Sequence, residues 1–306
     1  MQHAHAVSAL GNTELLVRAN GIQPAFGIEF GLASPRADEV RAADPYRQAN
    51  ASYSILQRQG ARIVRHTLVD VGMGVVPSLL DLEASHDVHV VHEVFLTHAH
   101  YDHFAQLDWL SVALMRNGRQ DQPRPLPVYA TRACWHRGPN AVFPHLAERT
   151  EFRPIEPGQA VRLDSVAVTP FAVEHSPSAP GSVGFVIQHG GRKVIITGDF
   201  ARVPGEDAPL FRDADICFME ANTWHPIDGL DHQSVLGNLR LIEKWNPRRV
   251  YFIHYSGFED REFGDDPING PMALSQLEAE LRQLNHPVDL QVATHGMILG
   301  ETAPWP

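Results

Sequence analysis

Short apolar runs separated by polar or turn-forming residues dominate the first two thirds of the chain. Runs of this length, rich in branched and aromatic residues, are typical of β-strands. Strands are predicted at 13–19, 52–57, 62–71, 94–96, 128–130, 152–155, 160–174, 183–189 and 193–197. The Gly190-Gly191 pair between the last two runs predicts a hairpin turn. This part of the chain is therefore expected to form sheets, interrupted by predicted helices at 75–83 and 104–115.

Helices and strands alternate in the final third. Val235, Leu236, Leu239 and Ile242 share one helical face, and leucines at 274, 277, 281 and 284 repeat at the same spacing. Further strands are predicted at 216–219, 250–253 and 297–299. The pattern predicts an α/β protein in which two sheets pack face to face with helices outside. No shift in composition marks a boundary, so residues 1–306 are predicted to be a single domain.

Composition narrows the function classes. The net charge of −11 argues against broad binding to a phosphate backbone. The two cysteines, Cys134 and Cys217, are too few for a disulfide framework and are expected in the core. The first ten residues lack a signal-peptide pattern, and no apolar stretch approaches membrane-spanning length. We therefore expect a cytoplasmic protein that does not insert into a membrane.

A dense group of metal-ligating side chains follows the predicted strand at 94–96. His98, His100, Asp102 and His103 lie within six residues, between that strand and a helix. Imidazole nitrogen and carboxylate oxygen are the ligands of zinc and neighbouring transition metals. A loop can direct His98 and His100 at one ion while Asp102 and His103 face a second. The motif therefore predicts a metal site.

Four more polar residues terminate apolar strands. His175, Asp199 and His254 each follow such a run, and Asp70 follows another. Side chains at strand ends collect at one rim of a sheet, where loops build functional sites. Asp70 is expected to orient a ligand rather than to bind a metal itself.

These motifs, taken in order, resemble the metallo-β-lactamase superfamily over residues 15–299. The resemblance implies an αββα sandwich with a dinuclear metal site at one edge of the two sheets. It implies that His98, His100 and His175 hold one ion and that Asp102, His103 and His254 hold the other. Asp199 would bridge them. Two divalent ions are expected, with Zn²⁺ first and Mn²⁺ or Fe²⁺ also compatible.

A narrower resemblance involves His232, which lies 254 − 232 = 22 residues before His254 and just before a helix. The phosphodiesterase branch of the superfamily carries a histidine at this place. That branch includes tRNase Z and the cyclic-phosphate phosphodiesterase of the carbon–phosphorus lyase pathway, where this histidine assists the leaving group. Glu220 is similar to the carboxylate that steadies it. The resemblance thus implies that His232, Asp102 and Glu220 contribute to catalysis.

Two differences from these relatives narrow the expected substrate. Only 199 − 175 = 24 positions separate His175 from Asp199, which leaves room for one hairpin and not for a tRNA-gripping arm. The two distant cysteines do not reproduce the additional zinc site of the cyclic-phosphate enzyme. We therefore expect a small phosphodiester or cyclic phosphate as substrate, with no nucleic acid beyond short or nucleotide substrates. A homodimer is compatible with the sequence.

The expected reaction is hydrolysis. Two close divalent ions lower the pKa of a shared water and supply hydroxide near neutral pH, and His232 would protonate the leaving oxygen. The main alternative is a lactone or thioester hydrolase of the glyoxalase II type, which would use the same seven ligands with no need for His232. Without the family resemblance, His232 would be interpreted as a surface residue flanking its helix.

Overall fold

The computed structural model describes residues 13–24, 49–256 and 274–306. Its strands, in chain order, are β1 Glu14–Gly21, β2 Ser52–Gln59, β3 Arg62–Val69, β4 Glu93–Phe95, β5 Leu126–Ala130, β6 Thr150–Pro154, β7 Val161–Leu163, β8 Val166–Ala172, β9 Val183–His189, β10 Arg192–Ile196, β11 Ile216–Glu220, β12 Arg249–Ile253, β13 Asp289–Val292 and β14 Ile298–Leu299. The α-helices are α1 Val75–His86, α2 Leu107–Arg116, α3 Arg132–Arg137, α4 Pro139–Val142, α5 Val235–Trp245 and α6 Leu274–Gln283. Among these described helices, none is long and apolar enough to cross a membrane.

The strands form two mixed sheets that pack face to face. Within the described residues, one sheet has the order β14-β1-β2-β3-β4-β5-β6 and the other β13-β12-β11-β10-β9-β8-β7. Alternate side chains of each strand meet between the sheets, where Val17, Ile55 and Phe95 of the first sheet join Phe185 and Phe218 of the second in one apolar cluster. Burial of these side chains holds the two sheets together.

Helices cover the outer face of each sheet. Leu107, Leu110 and Leu114 of α2 pack on the first sheet, in a cluster that includes Cys134. A separate cluster joins α5 and α6 to the second sheet. Cys217 of β11 lies in it, so both cysteines are buried in the core as expected. The arrangement is the predicted αββα sandwich.

The sheets bring one set of strand ends to a common edge. In the first sheet β3, β4, β5 and β6 run parallel, and in the second β10, β11, β12 and β13 do so. Carboxyl ends of parallel strands meet at one edge, so the loops that leave them converge there. The segments that begin at Asp70, Thr97, Thr197 and His254 are four of these exits.

Three local predictions differ from the structure. The single strand predicted at 160–174 is a hairpin, because Asp164 adopts a left-handed φ of 54° and turns β7 back onto β8. Helix α2 begins at Leu107 rather than Phe104, since a short 3₁₀ turn at Tyr101–His103 precedes it. Strand β13 was not predicted, because its four residues carry too little pattern. The polar segment 21–50, with several Gly and Pro residues, predicts a surface loop, and its residues 25–48 lie outside the described part.

Candidate metal centre

Two adjoining groups of ligating atoms lie at this edge. Each residue of a group contributes one ligating atom, a ring nitrogen or a carboxylate oxygen, and these atoms lie within 4.8 Å of one another. The first group contains three histidines and the second four residues, two of them aspartates. The members are His98, His100 and His175 in the first, and Asp102, His103, Asp199 and His254 in the second. All seven residues predicted as ligands are thus brought together.

The three-histidine group is held from behind by hydrogen bonds. Nδ1 of His175 donates to the carbonyl of Asp231 at 2.7 Å, which directs Nε2 toward the group. Nδ1 of His98 lies 3.0 Å from Oγ1 of Thr97. Nδ1 of His100 lies 3.0 Å from Nε2 of His175, so these two ring nitrogens face one another. Fixing the outer nitrogen of a histidine in this way sets its tautomer and orients it for a metal.

Asp199 lies between the two groups. Its Oδ2 is 3.1 Å from Nε2 of His254 and 3.3 Å from Nε2 of His103. The same oxygen is 3.7 Å from Nε2 of His98 in the neighbouring group. Asp102 approaches from the other side, with Oδ2 3.4 Å from Nε2 of His103. Oδ2 of Asp199 therefore lies within 3.7 Å of ring nitrogens in both groups.

Several of the buried polar atoms facing the groups have no hydrogen-bond partner. They are Nε2 of His98, His103 and His254, and Oδ1 of Asp199. A buried polar atom left unpaired costs about 1–3 kcal/mol. One or more cations among these atoms would satisfy them together, so the donor set fits a metal of the zinc type.

The electrostatics of the second group also favour a cation. Burial would lower the pKa of His103, but Asp199, Asp102 and Asp70 surround it and hold that pKa well above its ordinary value. The three carboxylates therefore make His103 bind a proton tightly, and a divalent cation bound at this place would displace that proton. In the first group, burial instead lowers the pKa of His98 well below its usual range, so this ligand is neutral near pH 7.

The backbone around the groups is fixed by strained and closely packed positions. Asp70 has a φ of 59°, and its Oδ2 lies 2.8 Å from Nδ1 of His103, the orienting contact predicted for it. His254 has a φ of 62°, and its N–H donates to the carbonyl of Ile22 at 2.9 Å. A non-glycine residue in this region costs about 1–3 kcal/mol, and such strain concentrates at functional sites.

His232 lies beside the metal-binding groups and is paired with Glu220. Its Nδ1 lies 2.9 Å from Oε1 of Glu220, and its ring stacks on that of His254 with centroids 5.3 Å apart. The ring of His175 is 4.8 Å away, edge-on. The side chain of His232 is 20% exposed, and one of its ring nitrogens lies within 4.8 Å of ligating atoms of His175 and Asp199.

Glu220 is itself held firmly. Its Oε2 accepts the backbone N–H of Gln233 at 3.0 Å, and the carboxylate is wholly buried. Burial raises the pKa of Glu220, while the neighbouring His232 opposes that rise. The pair is therefore built into the fold and is not a chance surface contact.

Sequence reasoning missed the residues that hold the ligands from outside. They act through backbone carbonyls, as in Asp231 and Ile22, or through single hydroxyls, as in Thr97 and Ser178. Every residue has a backbone carbonyl, so this contact cannot be predicted from the residue type. Ser178, three positions after His175, belongs to a Pro- and Ser-rich loop without a recognisable motif.

Comparison with known proteins agrees with the fold. Residues 65–255, more than half of the chain, match the model of the beta-lactamase superfamily domain. Ribonuclease Z of Mycobacterium bovis (strain BCG / Pasteur 1173P2) is 32% identical over 186 residues, which cover 56% of this chain and 61% of that protein. The chain thus spans less than two thirds of the length of this relative.

Solved structures with low sequence identity share the fold. A diphosphatase from the PhnP family superposes with a TM-score of 0.69 at 18% identity, covering 94% of this chain and 97% of that one. Zn²⁺-bound PqqB from Methylobacterium extorquens gives a TM-score of 0.67 at 17% identity, covering 93% and 99%. On the family match, the chain belongs to the beta-lactamase superfamily, and it shares the fold of these solved structures.

Proposed function

We propose that this enzyme hydrolyses a small phosphodiester or cyclic phosphate, using two divalent metal ions and His232 as the proton donor to the leaving group. The observation that carries the proposal is the Glu220–His232 pair, 2.9 Å from Nδ1 to Oε1, beside the complete ligand set. A hydrolase of lactones or thioesters needs the metal ligands but not this pair.

The seven ligands divide between the two ions. His98, His100 and His175 would hold one, Asp102, His103 and His254 the other, and Asp199 both. When bound, the ions activate water and neutralise charge on the phosphoryl oxygens. The donor set of imidazole and carboxylate favours Zn²⁺, with Mn²⁺ or Fe²⁺ as other candidates.

His232 and Glu220 would together supply the proton to the leaving oxygen of the substrate. The Nδ1–H of His232 donates to Glu220 and stays in that hydrogen bond. A second proton, bound at Nε2, is therefore the one that the ring can give to the leaving oxygen. The carboxylate of Glu220 stabilises the doubly protonated ring before transfer. General acid assistance of this kind contributes about 10²–10⁴-fold to a rate.

The names of the relatives support phosphoester chemistry. Two proteins similar to this chain are called ribonuclease Z and a diphosphatase. A third is described as Zn²⁺-bound, in agreement with the preference for zinc.

A small substrate is favoured over tRNA. Between His175 and Asp199 the described chain forms one hairpin, β9–β10, with no extended arm. The net charge of −11 also opposes a long polyanion.

Two measurements test the proposal. Elemental analysis of protein purified without chelator is expected to approach two transition-metal ions per chain. The loaded enzyme is then assayed on a nitrophenyl phosphodiester, a cyclic nucleotide, a lactone and a thioester. Phosphodiester turnover well above lactone and thioester turnover is expected. Brisk lactone or thioester cleavage without phosphodiester cleavage would replace the proposal with the carboxylic-ester reaction.

A further inference from the structure

His100 is held differently from the other two histidines of its group. The outer nitrogen of His175 donates to a backbone carbonyl, which can only accept. The hydroxyl behind His98 belongs to Thr97 and already donates to Asp70 at 2.7 Å, so toward His98 it also acts as an acceptor. Nε2 of His100 instead lies 2.7 Å from the Oγ of Ser178, an exposed hydroxyl that can either donate or accept.

We infer that Ser178 is a positioning residue that sets the affinity of the three-histidine group for its cation. The inference rests on the proposed two-metal function. Its basis is the position of the two ring nitrogens of His100, since Nδ1 faces Nε2 of His175 at 3.0 Å and Nε2 faces Ser178. A metal in the group requires the lone pair of Nδ1, so the proton of the neutral ring must then reside on Nε2.

A hydroxyl can serve both states of the ring. Without a cation, Nδ1–H of His100 donates to Nε2 of His175, and Ser178 donates its own proton to Nε2 of His100. With a cation at Nδ1, the ring proton resides on Nε2 and Ser178 accepts it. The ring stays neutral throughout, so the tautomer changes with no net gain or loss of a proton. An alanine at 178 would leave Nε2 without either interaction.

Ser176 completes this arrangement. Its Oγ lies 2.9 Å from the Oγ of Ser178, and either atom can be the donor. When Ser178 accepts from His100, its hydroxyl proton can therefore turn toward Ser176. The two hydroxyls reorient together while the ring of His100 remains in place.

The loop that carries Ser178 is fixed independently of His100. The hydroxyl of Ser182 donates to the carbonyl of Ala179 at 2.7 Å, and the hydroxyl of Thr131 donates to the carbonyl of Gly181 at 2.7 Å. Because the loop is already ordered, the contact with His100 needs little further loss of conformational entropy. Ser165 is also exposed and hydrogen-bonded, to Thr13 and Gln57, but lies outside this loop, which makes it a matched control.

Stepwise Zn²⁺ affinities, measured by competition with a chromophoric chelator, test the inference. Ser178→Ala is expected to lower the affinity for one of the two ions by about 10–100-fold. This is the usual range when a metal ligand loses the residue that hydrogen-bonds to its other side. The other ion, held by the four-residue group that Ser178 does not touch, is expected to keep its affinity. Ser178→Thr retains the hydroxyl and is expected to restore the parent value, while Ser165→Ala is expected to bind both ions as the parent does.

Two results would overturn the inference while the parent still binds two ions. One is unchanged affinities in Ser178→Ala. The other is an equal loss in Ser165→Ala, which would attribute the effect to general destabilisation and not to the hydroxyl at 178. A parent protein that binds no Zn²⁺ would instead contradict the proposed function, and this inference with it.

Discussion

Nδ1 of His232 lies 2.9 Å from Oε1 of Glu220, a carboxylate wholly enclosed by the protein. A buried carboxylate paired to one ring nitrogen fixes the tautomer of the imidazole and raises the basicity of the other nitrogen. Because the ring also stacks on His254, the outer nitrogen is held close to the metal-binding groups. This relationship separates the proposed phosphodiesterase from a hydrolase that needs the metals alone.

Glu220→Gln is expected to keep the metals and to slow the enzyme. The amide can still accept from His232, but it carries no charge to stabilise the protonated ring. We expect a loss of about 10–100-fold on an alkyl phosphodiester, the range for a partner behind a functional group. Steady-state rates and metal content of the same preparation provide the check, and a variant as fast as the parent would remove Glu220 from the mechanism.

Asp199→Ala is expected to release at least one metal ion and to abolish nearly all activity. Oδ2 of this residue lies within 3.7 Å of ring nitrogens in both groups, so its loss should weaken each. Elemental analysis and phosphodiester turnover measure the two effects. Parent stoichiometry and rate in the variant would mean that Asp199 is not the bridge.

Gly72→Ala is expected to disrupt the loop that carries the metal ligands. A Cβ at this position would lie 1.7 Å from the carbonyl oxygen of Asp102, so the backbone must move. We expect a marked loss of bound metal and activity. Gly60→Ala is the control, because its Cβ meets nothing within 4 Å and adds only the local strain of a φ of 61°.

Circular dichroism and elemental analysis of both glycine variants separate the outcomes. A folded Gly72→Ala protein with its full metal content would show that the close approach to Asp102 is not needed. A Gly60→Ala protein that lost its metals would assign the effect to general destabilisation.

The free energy of unfolding is expected to decrease at acidic pH because the buried His66 resists protonation in the folded protein. Burial, with smaller effects of His92 and Arg18, lowers the pKa of this histidine to about 3. Its ring lies 2.8 Å from the hydroxyl of Ser54 and 3.1 Å from the carbonyl of Val90. Between pH 6.5, the pKa of an exposed histidine, and about 3, the unfolded chain binds a proton that the folded chain excludes. The contribution of His66 is therefore complete above pH 6.5 and is lost as the pH falls.

Urea unfolding of metal-free parent and His66→Gln proteins checks this. The free energy of unfolding of the parent is expected to decrease faster than that of the variant, by about 1.4 kcal/mol for each pH unit below 6.5. Parallel curves between pH 7.5 and 5.5 would show that His66 does not titrate as its burial requires.

The clustering of the seven candidate ligands could be predicted from the sequence because they are rare residue types at the ends of apolar strands. His98, His100 and Asp102 lie in one motif, and His175 and His254 follow strands whose apolar runs are distinct. The sandwich was predictable for the same reason, since period and length separate its strands from its helices.

Other features depend on tertiary contacts and were beyond sequence reasoning. The turn at Asp164 depends on a left-handed conformation that aspartate tolerates but does not require. The carbonyls of Ile22 and Asp231 act on His254 and His175 through backbone that any residue supplies. Pairing of His232 with Glu220 came from family resemblance, and the structure places the two side chains within hydrogen-bonding distance.

The most direct test of the account compares His232→Ala with the parent enzyme on two phosphodiesters. Both proteins are expected to contain two metals and to share the same fold. On an alkyl or nucleoside ester, whose leaving group needs a proton, the variant is expected to lose about 10²–10⁴-fold in rate. On a nitrophenyl ester, whose leaving group needs little protonation, it is expected to lose far less. Equal losses on the two esters, or full activity on both, would contradict the role of His232 as proton donor.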